Sequence, residues 1–283
     1  MFPGATTDRE AASYVVVGAP LDATTTFQPG TRFGPGRIRR FAKTYDDYDH
    51  RTESDFSALG VHDAGDVSPW DDVEAYLDHL AAELRSVTYD DATPLLVGGE
   101  HTVTHAGVEA VDPDVLVVCD AHLDLRDAYD GNPLSHACVT RRCLDDLDVD
   151  RAVIVGARTG SEAEWKRAAD DDVEVVAPED ARAWIDDLAD DTGTAEESPF
   201  AGESVYCSVD IDGVDPGFAP GTGTMEPFGL APREARDLVR AVAPHADGFD
   251  VVEVNDRDDG QAAALAGKLL REFVLTHAAL DEV

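Results

Sequence analysis

Short apolar, β-branched runs recur along this chain, and stretches patterned for helix lie between them. The runs fall at 13–18, 94–98, 114–120, 151–156, 173–176, 204–210 and 249–254. Between two of them, Val73, Tyr76, Leu77, Leu80, Leu84 and Val87 share one face of a helix over 71–87. Ala231-Pro232 is a suitable opening for a helix over 231–243, and 260–279 reads as a final helix. Strand–helix alternation of this kind predicts an α/β fold, a mostly parallel sheet covered by helices on both faces. Neither an internal repeat nor a composition shift divides the chain, so residues 1–283 are expected to form a single domain. The stretch from Asp186 to Glu203 reads as an exposed loop before the strand at 204. The segment around 22–36 reads as a loop with glycines suited to positive φ, in which Pro35 begins a helix.

In open sheets of this type, ligands bind outside the carboxyl ends of the strands. Three acidic-histidine motifs sit at that position. Gly98-Gly99-Glu100-His101 follows the second run. Asp120-Ala121-His122-Leu123-Asp124 closes the third, and Ser208-Val209-Asp210-Ile211-Asp212-Gly213-Val214-Asp215-Pro216 closes the sixth. Successive strand side chains point to opposite faces, so strand continuation would bring Asp120, His122 and Asp124 to one face, and Asp210 and Asp212 likewise. Carboxylates and imidazoles converging at strand ends suit divalent Mn, Fe, Ni or Zn. Asp120, Asp124, Asp210 and Asp212 bring four negative charges, and His101 and His122 none. Crowded without cations, the carboxylates would raise one another's pKa. Two divalent ions cancel the four charges, at a usual separation of roughly 3.5–4 Å.

Other residues near these motifs are expected to be structural. Asp215 precedes Pro216 and suits a turn. Glu100 is expected to support the motif from a turn, and His105 to pack within a helix. The cysteines, Cys119, Cys138, Cys143 and Cys207, form no Cys-x-x-Cys pair, and Cys119 and Cys207 read as small apolar core residues of a reduced compartment.

Acids outnumber bases 59 to 22, for a net charge of −37. That field repels nucleic acid and anionic membranes, so neither is an expected partner. The acids are scattered instead of forming one tail, which fits a hydrated surface adapted to a high-salt cytoplasm. No stretch approaches the roughly 20 apolar residues of a membrane span. The first residues, Met1 to Thr7, lack the basic start and apolar run of a secretory signal, and a cytoplasmic location is expected.

Taken together, the motifs resemble the ureohydrolases, the family of arginase and agmatinase. Gly98 to His101, Asp120 to Asp124, Ser208 to Pro216 and Glu253-Val254-Asn255 carry the resemblance, with Pro29 to Pro35 similar to the family's N-terminal loop. Leu134 to Cys138, Arg158 to Trp165 and Phe218 to Pro227 are similar to the agmatinase branch. The resemblance implies a three-layer α-β-α sandwich, assembly as a homo-trimer or homo-hexamer, two Mn(2+) per subunit, and hydrolysis of a guanidinium carbon with release of urea. It makes His101, Asp120, His122, Asp124, Asp210 and Asp212 the metal ligands. Asp124 would also steady the attacking hydroxide. His136 would carry a proton to the departing amine, and Glu253 would accept hydrogen bonds from the guanidinium, so both would contact the substrate. One departure is Asp256, where many relatives carry proline.

The loop Leu125 to Pro133 lacks the arginase pattern for reading an α-carboxylate, which favours agmatine, cleaved to putrescine and urea. Arginine, or a guanidino acid such as 4-guanidinobutyrate, is the alternative. Arg126 at the mouth would suit a carboxylate, although it is expected to pair with Asp127 or Asp130. A catalytically silent paralogue is disfavoured by the intact motif set. So is a single-zinc deacetylase of similar fold.

Overall fold

A computed structural model describes residues 1–190 and 199–280. Its strands are β1 (Tyr14–Ala19), β2 (Tyr48–Asp49), β3 (Ser54–Asp55), β4 (Val61–Asp66), β5 (Thr93–Gly98), β6 (Val115–Cys119), β7 (Arg151–Val155), β8 (Val173–Val176), β9 (Val205–Asp210) and β10 (Ala246–Val252). Its helices are α1 (Gly34–Ala42), α2 (Val73–Tyr89), α3 (Thr104–Val111), α4 (Val139–Asp146), α5 (Glu162–Arg167), α6 (Pro178–Asp190), α7 (Pro232–Val242) and α8 (Gln261–Ala278). Eight strands form one sheet in the order β4-β1-β5-β10-β9-β6-β7-β8, and every pairing in it is parallel. The short β2–β3 hairpin stands apart.

Alternation along each strand feeds two apolar layers. Val16, Leu95, Val97 and Val117 pack on the side covered by α1, α6, α7 and α8. Val15, Val17 and Leu96 pack against α2 and α3. Leu116 and Val118 meet Val139 and Cys143 of α4. The expected α-β-α sandwich is therefore present. All four cysteines are free and buried. Among the described residues, no helix is long and apolar enough to cross a membrane.

The helix ends show why these segments start where they do. The Asp72 side chain accepts the Ala75 N–H at the head of α2. Pro232 opens α7, and the Glu234 carboxylate reaches back to the Ala231 N–H at 2.7 Å. Several boundaries differ from the sequence reading. The loop expected from Asp186 begins later, because α6 continues through Asp190; residues 191–198 of that loop lie outside the described residues. Strand β4, rich in Asp and Gly, carries little apolar signal and was not foreseen, nor was the two-residue pairing of β2 with β3.

The strands that carry the motifs are neighbours: β5, β10, β9 and β6 occupy the middle of the sheet. Parallel strands lie about 4.8 Å apart, so their four carboxyl ends bring four loops within side-chain reach of one another. Register completes the alignment, with Cys119 opposite Val209 and Val252 opposite Asp210.

Candidate metal centre

The aspartates and histidines meet at those four strand ends, though not by the strand alternation expected. Strand β6 stops at Cys119, so Asp120, His122 and Asp124 lie on an irregular segment beyond it. Asp124 has a left-handed backbone, φ 49°. Asp210 is the last residue of β9, and Asp212 sits in the turn that follows, where its N–H donates to Asp210 Oδ1 at 2.8 Å. Gly213 permits the approach: a Cβ there would lie 2.9 Å from Asp120 N. Gly99 does the same on the other side, where a Cβ would come within 1.9 Å of Leu21 O.

Two triads share Asp120: His101 with Asp120 and Asp124, and His122 with Asp120 and Asp212. His101 Nδ1 lies 3.1 Å from Asp120 Oδ2, 3.0 Å from Asp124 Oδ2 and 3.4 Å from Asp210 Oδ2. His122 Nδ1 lies 3.1 Å from Asp212 Oδ2 and 3.5 Å from Asp120 Oδ1. The two oxygens of Asp120 thus face different imidazoles. His101 Nδ1 and Asp120 Oδ2 are buried without a hydrogen-bond partner, an arrangement that hydrogen bonding alone does not account for. Burial and the neighbouring acids push Asp210 well above the carboxylate range and lift Asp124 to about 6. Burial opposes a charge on His122, but Asp212 and Asp120 outweigh it and push the ring up to about 12. In the absence of cations, then, the cluster favours holding protons, which divalent ions would displace. Orphaned atoms, crowded acids and mixed nitrogen–oxygen donors all fit a pair of divalent ions.

His136 and Glu253 adjoin the cluster. Glu253 follows β10 with φ 61°. Its Oε1 accepts the backbone N–H of His101 at 2.9 Å and pairs with His136 Nδ1 at 2.8 Å. Its Oε2 is buried and has no partner. Burial disfavours a charge on His136, but Glu253 overrides it and lifts the ring to about 9. Contacts at the other nitrogen point the opposite way. The Thr26 N–H approaches Nε2 at 3.0 Å and can only donate, so Nε2 must keep a lone pair. The hydrogen-bond geometry decides this conformation: the ring is neutral, with its proton on Nδ1.

A cavity of about 330 Å³ opens beside these groups, lined by His122, Asp124, His136, Asp210, Asp212 and Glu253 on the cluster side. Thr26, Arg126, Tyr129, Ser161, Glu164 and Thr224 form its outer wall. Arg126 does not pair with Asp127 or Asp130 as expected. Its guanidinium meets Glu164 at 3.1 Å and lies over the Tyr129 ring, because Glu164 is buried and fixed by Ser161, whereas Asp127 is exposed and faces Arg142. Glu100 supports the site as expected: its carboxylate accepts from Thr24 N, Thr24 Oγ1 and Thr25 Oγ1, and burial pushes it up to about 7. Asp215 ties its own turn to the N–H groups of Gly217 and Phe228. His105 is half-buried on α3, in keeping with a packing role.

Sequence reasoning missed Thr24 and Thr26, which bridge to residues 76 and 110 positions away. It also missed Glu164 as a wall residue. One local signal was available, since Ser161-x-x-Glu164 is a helix-capping pattern that fixes the carboxylate at the head of α5.

A family model described as the arginase family matches residues 12–276. An agmatinase of Pyrococcus horikoshii is 36% identical, with 94% of this chain and 92% of that protein covered. An N(1)-aminopropylagmatine ureohydrolase of Thermococcus kodakarensis is also 36% identical, over 92% of this chain and 89% of its own. The crystal structure of agmatine ureohydrolase of Thermoplasma volcanium superposes with a TM-score of 0.89 at 36% identity, covering 99% of this chain and 95% of that one. With sequence, fold and the acidic-histidine cluster in agreement, the chain belongs to the arginase family.

Proposed function

We propose that this protein is an agmatinase that hydrolyses the guanidinium of agmatine to putrescine and urea with two Mn(2+) per subunit. The observation that carries the reading is the partnerless Oε2 of Glu253, a buried carboxylate oxygen on a residue that lines a cavity beside the acidic-histidine cluster. A guanidinium stays protonated at neutral pH and presents planar N–H donors, which such an oxygen would accept. Bound ions, held by His101, Asp120, His122, Asp124, Asp210 and Asp212, would supply the Lewis acidity that brings water's pKa from 15.7 towards roughly 7.

The chain's own groups then have distinct tasks. Glu253 Oε2 orients the guanidinium, while Oε1 keeps the His101 N–H and the His136 ring in place. Asp124 borders both the cluster and the cavity, and would accept a hydrogen bond from the attacking water. His136 would give the departing amine a proton. It carries one at Nδ1 beside Glu253, and can take another at Nε2 only when Thr26 releases that nitrogen. Water adds across the C–N bond, so agmatine dication and water become putrescine dication and urea with no net proton change.

The outer wall favours agmatine over a guanidino acid. Arg126 is the cation a carboxylate would need, and Glu164 already neutralises it at 3.1 Å. The same reading has a single domain over 1–283, a homo-trimer or homo-hexamer, a cytoplasmic location and a place in polyamine metabolism. Urea release in molar salt with Mn(2+), comparing agmatine, arginine and 4-guanidinobutyrate, tests it. Preference for agmatine is the expected result. Preference for a carboxylated substrate would move specificity to Arg126, and no urea from any of the three would overturn the assignment.

A further inference from the structure

Asp250 lies within β10, flanked in sequence by Phe249 and Val251, and is fully buried. A carboxylate in such a place is costly unless it is well bonded. Its Oδ1 accepts a hydrogen bond from Ser208 Oγ at 2.6 Å, across the pairing that sets Asp250 opposite Ser208 of β9. Oδ2 completes no hydrogen bond, although burial, which lifts this carboxyl, is partly offset by the nearby Thr104 and Tyr206 hydroxyls as well as by Ser208. Ser208 Oγ in turn lies 3.3 Å from His101 Nε2.

Proton counting gives this chain a direction. Asp250, as a carboxylate, can only accept, so the single hydroxyl proton of Ser208 is committed to it. The lone pairs of Ser208 then face the imidazole, and His101 must present an N–H at Nε2. In the neutral ring that a divalent ion requires, this places the lone pair on Nδ1, the atom surrounded by oxygens of Asp120, Asp124 and Asp210 and lacking any hydrogen-bond partner.

We propose that Asp250, acting through Ser208, is a positioning residue that fixes the tautomer and orientation of His101 for a divalent ion. The inference rests on the two-metal reading above. Metal-ligating histidines commonly donate their second N–H to a carboxylate; here a serine on the adjacent strand carries that bond one residue further. The two halves of the centre differ in this respect. Both close ring contacts of His122 fall on Nδ1, and a quarter of its side chain is exposed. Without Asp250, the Ser208 hydroxyl is free to donate to Nε2, which would move the imidazole proton to Nδ1 and block the ligand position on the His101 side alone.

Calorimetric titration of Mn(2+) into chelator-stripped protein in molar salt tests this, with circular dichroism and the metal-free melting temperature as controls for folding. Asp250→Asn and Ser208→Ala should each weaken one of the two equivalents by roughly 10–100-fold, leaving the other at wild-type affinity, and Ser208→Thr should restore binding. Folded variants that bind both equivalents as tightly as the wild type would overturn the proposal. Equal weakening of both equivalents would overturn it too, since that marks a general packing role. If Asp250→Asn does not fold, the Ser208→Ala and Ser208→Thr pair decides the matter. A wild-type protein that binds no Mn(2+) would sink the Mn reading along with this one, whereas wild-type binding with unaffected variants would sink this one only.

Discussion

Asp124 and Glu253 are both non-glycine residues with a left-handed backbone, φ 49° and 61°. Such a conformation costs roughly 1–2 kcal/mol for an ordinary residue, and here it turns two carboxylates towards one cavity. Backbone bonds hold it: Asp124 O accepts the Arg141 N–H at 3.0 Å, and Glu253 N donates to Gly99 O at 2.7 Å. Asparagine tolerates this region well, so Asp124→Asn should keep the fold while removing a charge from the crowded cluster. The metal-free variant should melt no lower than the wild type, and urea production should fall below detection. Retained turnover in that variant would remove Asp124 from the mechanism. The members of the cluster were readable from the motifs, because four aspartates and two histidines recur at the ends of apolar runs. The backbone that gathers them was not, since alternation suggested a continuing strand where the chain leaves the sheet at Cys119.

Among the elements, the turn after β5 depends on a close approach. Glu100 N donates to Leu21 O at 2.8 Å, and a Cβ on Gly99 would fall 1.9 Å from that same oxygen. Backbone cannot yield as a flexible side chain can. Gly99→Ala should therefore cost at least about 3 kcal/mol, the upper part of the usual range for overpacking, and should loosen the segment that carries Glu100 and His101. Denaturant unfolding in molar salt would measure it, and a variant within about 1 kcal/mol of the wild type would refute the clash. The strands with strong apolar runs were legible in sequence, and β4 was not, because an edge strand reading Val-His-Asp-Ala-Gly-Asp offers no continuous apolar signal. The grip of Thr24 and Thr26 on Glu100 and His136 was equally hidden, being a contact between distant segments with no local pattern.

Across the whole molecule, charge dominates. The cations are largely engaged in pairs such as Arg39 with Asp63, Arg167 with Asp172 and Arg182 with Asp237, leaving a large surplus of acids at a net −37. Lowering salt from about 1 M to 0.01 M stretches the screening length from about 3 Å to 30 Å, so repulsion between separated carboxylates returns. The melting temperature should fall as salt is removed, by about 2–4 °C for each kcal/mol of stability lost. Melting curves taken across that salt range test the idea, and a flat profile would contradict it.

The place of β10 has a further consequence, for how the protein is made. It begins at Ala246, yet it lies between β5, which ends at Gly98, and β9, which ends at Asp210. On a ribosome, the first 245 residues would emerge with the middle of their sheet missing and two strand edges waiting for a partner. The last long-range pairing to form is also the one that seats Glu253, so no piece of the chain that ends before Glu253 can assemble the pocket. Acquisition of the active centre and completion of the fold are, for this topology, one late event.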